Sequence, residues 1–77
     1  MIGWNAQATG KVIRLERQKA HMSQEVLSGL AGIARSHLSM IENGGKQANF
    51  CTIWRIAQAL DMKPSELVRR IEEYTEE

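Results

Sequence analysis

Side chains able to bind a nucleic acid are concentrated in residues 35–40 of this 77-residue chain. They are Arg35, Ser36, His37, Ser39 and Met40. An arginine guanidinium can bond both O6 and N7 of guanine in the major groove, and a serine hydroxyl can bond a base or a phosphate. The apolar side chain of Met40 favours contact with a thymine methyl group. A solvated helix face has a similar composition, so these residues alone leave both interpretations open.

The surrounding residues predict two short helices joined by a tight turn. Ser23 is a suitable N-cap for the first, because its hydroxyl can accept a backbone N–H of the opening turn. A buried stripe with helical spacing follows, formed by Val26, Leu27, Leu30 and Ala31. Gly32 interrupts the stripe where a corner needs positive φ. The second helix is expected over residues 34–43, with Leu38 and Ile41 facing inward and residues 35–40 presenting the outer face.

This arrangement resembles the phage repressor and Cro type of helix-turn-helix domain, the Xre-like family. The similarity rests on three segments: S-Q-E-x-L at 23–27, G-I-x-R-S at 32–36 and L-S-x-I-E-N-G at 38–44. It extends from about residue 10 to residue 67 and includes the later segments I-A-x-A-L and S-E-L. The R-S-H-L-S-x-I-E stretch is most similar to small stand-alone regulators, such as restriction-modification controller proteins.

The resemblance implies an all-α, lambda-repressor-like DNA-binding domain and assigns roles to particular residues. Gln24 would contact a backbone phosphate, and Asn43 with the following loop would contact the phosphate on the far side of the groove. Arg35, Ser36, Ser39 and Met40 would face the groove, with His37 at its edge. Arg17 and Glu42 occupy the places of a partly buried ion pair that fixes the second helix. Lys46, in the loop, is either a phosphate contact or a solvated lysine.

The net charge of +1 conceals an asymmetry along the chain. Residues 1–65 contain eight Lys or Arg and four Asp or Glu, a net charge of +4, whereas residues 66–77 contain two and five, a net charge of −3. A cationic DNA face with an acidic end kept away from phosphate has this distribution, and so does a solubilising acidic tail. The length fits one domain over residues 1–77, with residues 68–77 forming a helix extension and acidic tail.

Three further helices are expected around the motif, giving a five-helix, all-α bundle. The first is predicted over residues 9–20. Asn49 caps the fourth, whose expected core stripe is Phe50, Ile53, Ile56, Ala57 and Leu60. Pro64 suits the first turn of a fifth helix. Cys51 is interpreted as a small packing residue.

Apolar residues beyond one small core favour a homodimer. The predicted interface consists of Trp54, Leu67, Val68, Ile71 and Tyr74. Aromatic residues are enriched at interfaces, and a two-fold dimer can bind two half-sites about one helical turn apart. Trp4 either packs over the bundle or joins this interface.

Other functions are less well supported by the residues. The sequence has no Gly-rich phosphate loop and no nucleophile paired with a base, and His21 and His37 stand without metal-ligand spacing, so no enzyme, cofactor, metal or small-molecule ligand is expected. Neither a membrane span nor a signal peptide is apparent, which favours the cytoplasm and its nucleoid. The main alternative is an antitoxin-like interaction module with autoregulatory DNA binding. RNA binding is disfavoured because most aromatic residues are expected to be buried.

Overall fold

The computed structural model describes residues 5–76, and Trp4 therefore lies outside the described residues. It contains five α-helices: α1 (Ala6–Lys19), α2 (Gln24–Ala31), α3 (Arg35–Glu42), α4 (Phe50–Ala59) and α5 (Pro64–Glu76). No strand occurs in the described part of the chain. The all-α, five-helix prediction is confirmed, and α2 and α3 form the helix-turn-helix. None of the helices in this part of the chain is long and apolar enough to cross a membrane.

Polar side chains form the N-caps of α1, α2 and α4. Asn5 accepts hydrogen bonds from the backbone N–H groups of residues 7 and 8, so α1 begins three residues before the predicted position 9. Ser23 and Asn49 cap α2 and α4 as predicted. Ala34 gives α3 no side-chain cap, so its first backbone N–H groups remain available to other acceptors.

The core fills the space enclosed by all five helices. Its buried apolar side chains are Val12, Ile13, Leu27, Ala31, Leu38, Ile41, Ala48, Ile53, Ile56, Ala57, Leu60, Leu67 and Ile71. Helix α1 packs on α3 and α5, while α2 packs on α3 and α4. The predicted inward orientation of Leu38 and Ile41 is confirmed, since both are fully buried. Helix α3 is thus held from behind by α1 and α2.

Two predicted core positions on α2 are wrong. Val26 and Leu30 are 49% and 63% exposed, whereas Leu27, Ser28 and Ala31 are buried. The i, i+4 pair of residues 27 and 31 faces α3 and α4, and a helix turned in this way carries residues 26 and 30 into solvent. Spacing alone allowed either stripe to be the buried one.

The prediction for α4 and α5 also needs correction. Phe50 is 68% exposed and Cys51 is exposed, whereas Ile53, Ile56, Ala57 and Leu60 are buried as predicted, because the face of α4 that also carries Thr52 is turned to the core. Leu67 and Ile71, assigned to a dimer interface, are buried in the protomer's own core where α5 packs on α1 and α4. The expectation that most aromatic side chains are buried also fails for Phe50 and for Trp54, which is 47% exposed.

Candidate nucleic-acid interface

The outer face of α3 presents the predicted contact residues together. Arg35, Ser36 and Met40 are exposed, and His37 and Ser39 are partly exposed. The opposite face is anchored by the fully buried Leu38 and Ile41. The helix therefore projects a short polar surface with one apolar side chain, Met40, which is 47% exposed. Such a surface can make hydrogen bonds and methyl contacts to base edges in a major groove.

The loop after α3 is closed by backbone hydrogen bonds. The carbonyl of Met40 accepts from the N–H groups of Gly45 (2.9 Å) and Lys46 (3.2 Å). The Oδ1 of Asn43 also accepts from Gly45 N, at 2.9 Å. With its oxygen engaged in this way, the amide of Asn43 retains N–H donors of the type that a phosphate oxygen accepts. Lys46 is exposed in the same loop, beside the end of α3.

A buried carboxylate connects α1, α2 and α3. Glu42 is 2% exposed, and its Oε2 accepts from Nε of Arg17 at 2.7 Å. Its Oε1 accepts from Arg17 Nη2 (2.9 Å), Gln24 Nε2 (3.0 Å) and Arg14 Nε (3.5 Å). Arg17 Nη1 also donates to the backbone carbonyl of Met22, at 2.9 Å. This network ties the end of α3 to the two helices behind it.

Glu42 and Arg17 each stabilise the charged form of the other. Burial raises the pKa of the Glu42 carboxyl, but hydrogen bonds from Arg17, Gln24 and Arg14, together with the charge of Arg17, outweigh it and hold the pKa below its ordinary value. The hydrogen bond to Glu42 raises the pKa of Arg17 further, against the opposing effect of burial. The pair therefore stays ionised at neutral pH.

Gln24 lies at the start of α2, where a phosphate contact was predicted. Its Nε2 donates one hydrogen bond to Glu42. A primary amide nitrogen has two N–H groups, so the second remains for an acceptor outside the protein. The structure thus gives Gln24 an internal role that the sequence did not indicate, and its phosphate contact stays a prediction.

Two residues of α1 at this site were missed by sequence reasoning. Gly10 is buried, and a Cβ there would collide with the backbone oxygens of Ile41 and Glu42. A glycine inside a helix, flanked by helical residues, was the available signal of a close approach. Arg14 lies one turn before Arg17 on the same face, and this spacing could have indicated that both are near Glu42.

The residues assigned to the dimer interface differ in exposure, since some are buried in the core and others face solvent. Trp54 is exposed and pairs edge-to-face with Phe50, with ring centroids 6.0 Å apart. Val68 is 37% exposed, and Tyr74 is partly buried against the core. Of the five residues assigned to the interface, only Trp54 and Val68 are therefore exposed, and the aromatic surface lies on α4.

The residues described include no group of three His, Cys, Asp or Glu side chains arranged to hold a metal ion. Of the clefts between helices, one is lined by Gln7, Lys11, Arg14, Glu42 and Asn43, at the edge of the α3 surface. Its polar and cationic lining suits an anion rather than an apolar small molecule.

Comparison with known proteins gives one family match and several structural ones. Residues 13–67 match the family described as Helix-turn-helix. No curated protein matches the sequence. The restriction-modification controller protein C.AhdI from Aeromonas hydrophila is 34% identical, with 80% of this chain and 94% of that chain covered and a TM-score of 0.78. These findings confirm the resemblance stated from the sequence.

Two more distant structures share the fold. The controller protein C.Esp1396I, solved as a tetramer in complex with its natural 35 base-pair operator, is 17% identical with a TM-score of 0.87 over 97% of this chain and 99% of that chain. The clp gene regulator ClgR from Corynebacterium glutamicum is 16% identical with a TM-score of 0.88 over 99% of this chain and 81% of that chain. At such identities the likeness concerns the fold alone.

Proposed function

Because the chain belongs to the helix-turn-helix family, we propose that it is a sequence-specific regulator of transcription that binds double-stranded DNA as a homodimeric repressor. One observation carries the proposal, the fixed orientation of α3. Its inner face is buried through Leu38 and Ile41, and its outer face exposes Arg35 and Ser36. A short helix held in this way can enter the major groove as a rigid unit.

The N-terminal half of α3 makes the base contacts in this proposal. Arg35 donates two hydrogen bonds to a guanine, which distinguishes guanine from the other bases in the major groove. Ser36 and Ser39 bond base edges or phosphates beside it. Met40 packs on a thymine methyl group, and His37 contacts the edge of the groove.

Phosphate contacts on both sides set the position of α3. Gln24 donates its second amide N–H to one strand, and Asn43 with Lys46 donates to the other. Because Gln24 is also bonded to Glu42, a phosphate held by Gln24 is linked directly to the end of α3. Contacts of this kind fix register without reading sequence.

Dimerisation uses the exposed aromatic surface of α4. Phe50 and Trp54 form an exposed apolar patch, and Val68, which is 37% exposed on α5, stays a predicted interface residue. A two-fold axis through this surface would pair Phe50 and Trp54 with their symmetry mates. Two α3 helices could then bind half-sites about 34 Å apart. The operator-bound tetramer of C.Esp1396I supports a multimeric regulator by analogy.

Selection from random DNA tests the function directly. The protein is incubated with a pool of randomised duplexes, and bound DNA is enriched and sequenced. We expect a pseudo-palindromic consensus and loss of specific binding when Arg35, Ser36 and Ser39 are all changed to Ala. Arg69→Ala, which removes an exposed cation on α5, serves as the control and should bind like wild type. A pool that never converges on a consensus would overturn the proposal.

We expect the protein to regulate its own promoter and to act on nucleoid DNA in the cytoplasm. No catalytic step is assigned to the chain. A reporter fused to that promoter should be repressed by the wild type and derepressed by Arg35→Ala. Increased reporter output with wild-type protein would instead identify an activator.

A further inference from the structure

A cleft between α1 and the end of α3 contains two cationic side chains, Lys11 and Arg14, that have no role in the DNA contacts proposed so far. It has a volume of about 320 Å³ and is lined by Gln7, Lys11, Arg14, Glu42 and Asn43. The three residues from α1 have i, i+4, i+7 spacing, so they lie along one face of that helix. The cleft therefore has a row of hydrogen-bond donors on one wall and Asn43 on the other.

Both cations of the cleft are available to a ligand. Lys11 is exposed and takes part in no ion pair with the side chains described for residues 5–75. The side chain of Arg14 is 45% exposed and approaches Glu42 only at 3.5 Å. Because Arg17 and Gln24 already donate to both oxygens of Glu42, Arg14 can turn to an external anion without leaving that carboxylate unpaired.

The cleft is held rigidly beside α3. Gly10 brings the backbone of α1 against the carbonyls that end α3. Gly44, with a φ of 82°, packs on Gln7, whose Cγ would lie 2.8 Å from a Cβ added at Gly44. The α1 backbone that carries Lys11 and Arg14 is consequently packed closely beside the end of α3. A ligand bound in the cleft would share a fixed register with any bases that α3 contacts.

We propose that this cleft binds a backbone phosphate of DNA through Lys11 and Arg14, an inference that rests on the proposed function. Helix α3 has eight residues and is about 12 Å long, which is close to the width of the major groove. When Arg35 at one end meets the bases, the cleft at the other end lies near the sugar-phosphate rim. The proposal thus extends the phosphate-contacting surface from the motif onto α1.

Salt dependence of binding measures such a contact. For the selected duplex, each phosphate neutralised by the protein contributes about 0.9 to the slope of log affinity against log salt. We expect Arg14→Gln and Lys11→Gln each to lower that slope by up to this amount without changing the preferred bases. Arg69→Gln is the control, because it removes an exposed cation from α5, which packs mainly on α1 and α4. Thermal melting of each variant checks that the fold is retained. Lys11→Gln, at an exposed residue that makes no hydrogen bond to Glu42, covers the case in which Arg14→Gln unfolds.

Single backbone phosphates of the duplex are replaced, one at a time, by neutral methylphosphonates. A position at which the replacement weakens binding identifies the phosphate bound in the cleft and shows that it belongs to DNA rather than to a free anion. One flanking substitution should weaken wild-type binding but have little further effect on Arg14→Gln. Unchanged salt slopes in both variants, or losses that simply add at every position, would overturn the cleft as a DNA contact. A wild type that selects no duplex would instead overturn the proposed function.

Discussion

The guanidinium of Arg17 and the carboxylate of Glu42 form two parallel hydrogen bonds, of 2.7 Å from Nε to Oε2 and 2.9 Å from Nη2 to Oε1. The Arg17 side chain is 13% exposed and that of Glu42 is fully buried. This bidentate geometry joins the C-terminal half of α1 to the last residue of α3. The orientation of α3 therefore depends on a pair separated by 25 residues in the chain.

Removal of either partner should destabilise the fold. Arg17→Ala leaves a buried carboxylate with only Gln24 and Arg14 as donors, and should lower the free energy of unfolding by about 3 kcal/mol. Urea unfolding of both single variants and the double variant should give a coupling energy above the ~0–1 kcal/mol of exposed pairs. Lys19→Ala, which breaks a more exposed ion pair with Glu16, is the control. Additive losses would mean that the two residues act independently.

The same pair predicts a pH dependence of stability. The pKa of Glu42 is lower in the folded protein than in the unfolded chain, where it is about 4.3, so the unfolded state binds more protons in this range. The stabilisation is present above the unfolded value and is lost as pH falls through the folded pKa. We expect the stability difference between wild type and Glu42→Gln to shrink as the pH falls below the unfolded value of about 4.3. A difference that is constant with pH would contradict the assignment.

Gly10 should be the more sensitive of two helical glycines. In Gly10→Ala the new Cβ collides with backbone oxygens of Ile41 and Glu42, which cannot rotate away. The free energy of unfolding should therefore fall by about 1–3 kcal/mol or more. Gly29→Ala is the matched control, because a Cβ there has no neighbour within 4 Å. The free energy of unfolding of this variant should rise by about 0.5–1 kcal/mol, because alanine has a better helix propensity than glycine. Thermal melting of the two variants distinguishes the sites.

Arg35 should contribute to both affinity and base preference. Arg35→Ala should weaken binding to the selected duplex by about 1–3 kcal/mol and relax the preference at one base pair. Lys46→Ala provides the contrast, since a lost phosphate contact weakens all sequences alike. The measurement is binding to the selected duplex and its single-base variants. An unchanged preference in Arg35→Ala would remove this residue from base recognition.

Self-association should depend on α4. Changing both Phe50 and Trp54 to Ser should move the monomer–dimer equilibrium toward monomer, because both side chains are exposed and apolar and large aromatic side chains dominate interface energetics. Val26→Ser, at a similarly exposed apolar position on α2, is the control. Sedimentation across micromolar concentrations with and without operator checks this. A wild type that remains monomeric on its operator would exclude the α4 dimer.

Features set by short-range interactions were determined by the sequence itself. The side-chain oxygens of Ser23 and Asn49 cap helices by accepting from backbone N–H groups three residues away, and Gly32 adopts a φ of 72° at the predicted corner. The order of five helices and the outward face of α3 follow from such local signals together with hydrophobic spacing. They are predictable because the interacting groups lie within one or two turns of each other.

The buried faces of α2 and α5, and the exposure of Phe50, were decided only by the tertiary structure. Residues 26 and 30 fit a helical stripe as well as residues 27 and 31 do, and the packing of α2 on α3 and α4 selects the second pair. In the same way, α1 and α4 cover Leu67 and Ile71, while Phe50 is left in solvent. Which stripe is buried depends on neighbours distant in sequence, because burial is a property of the assembled surfaces rather than of one helix.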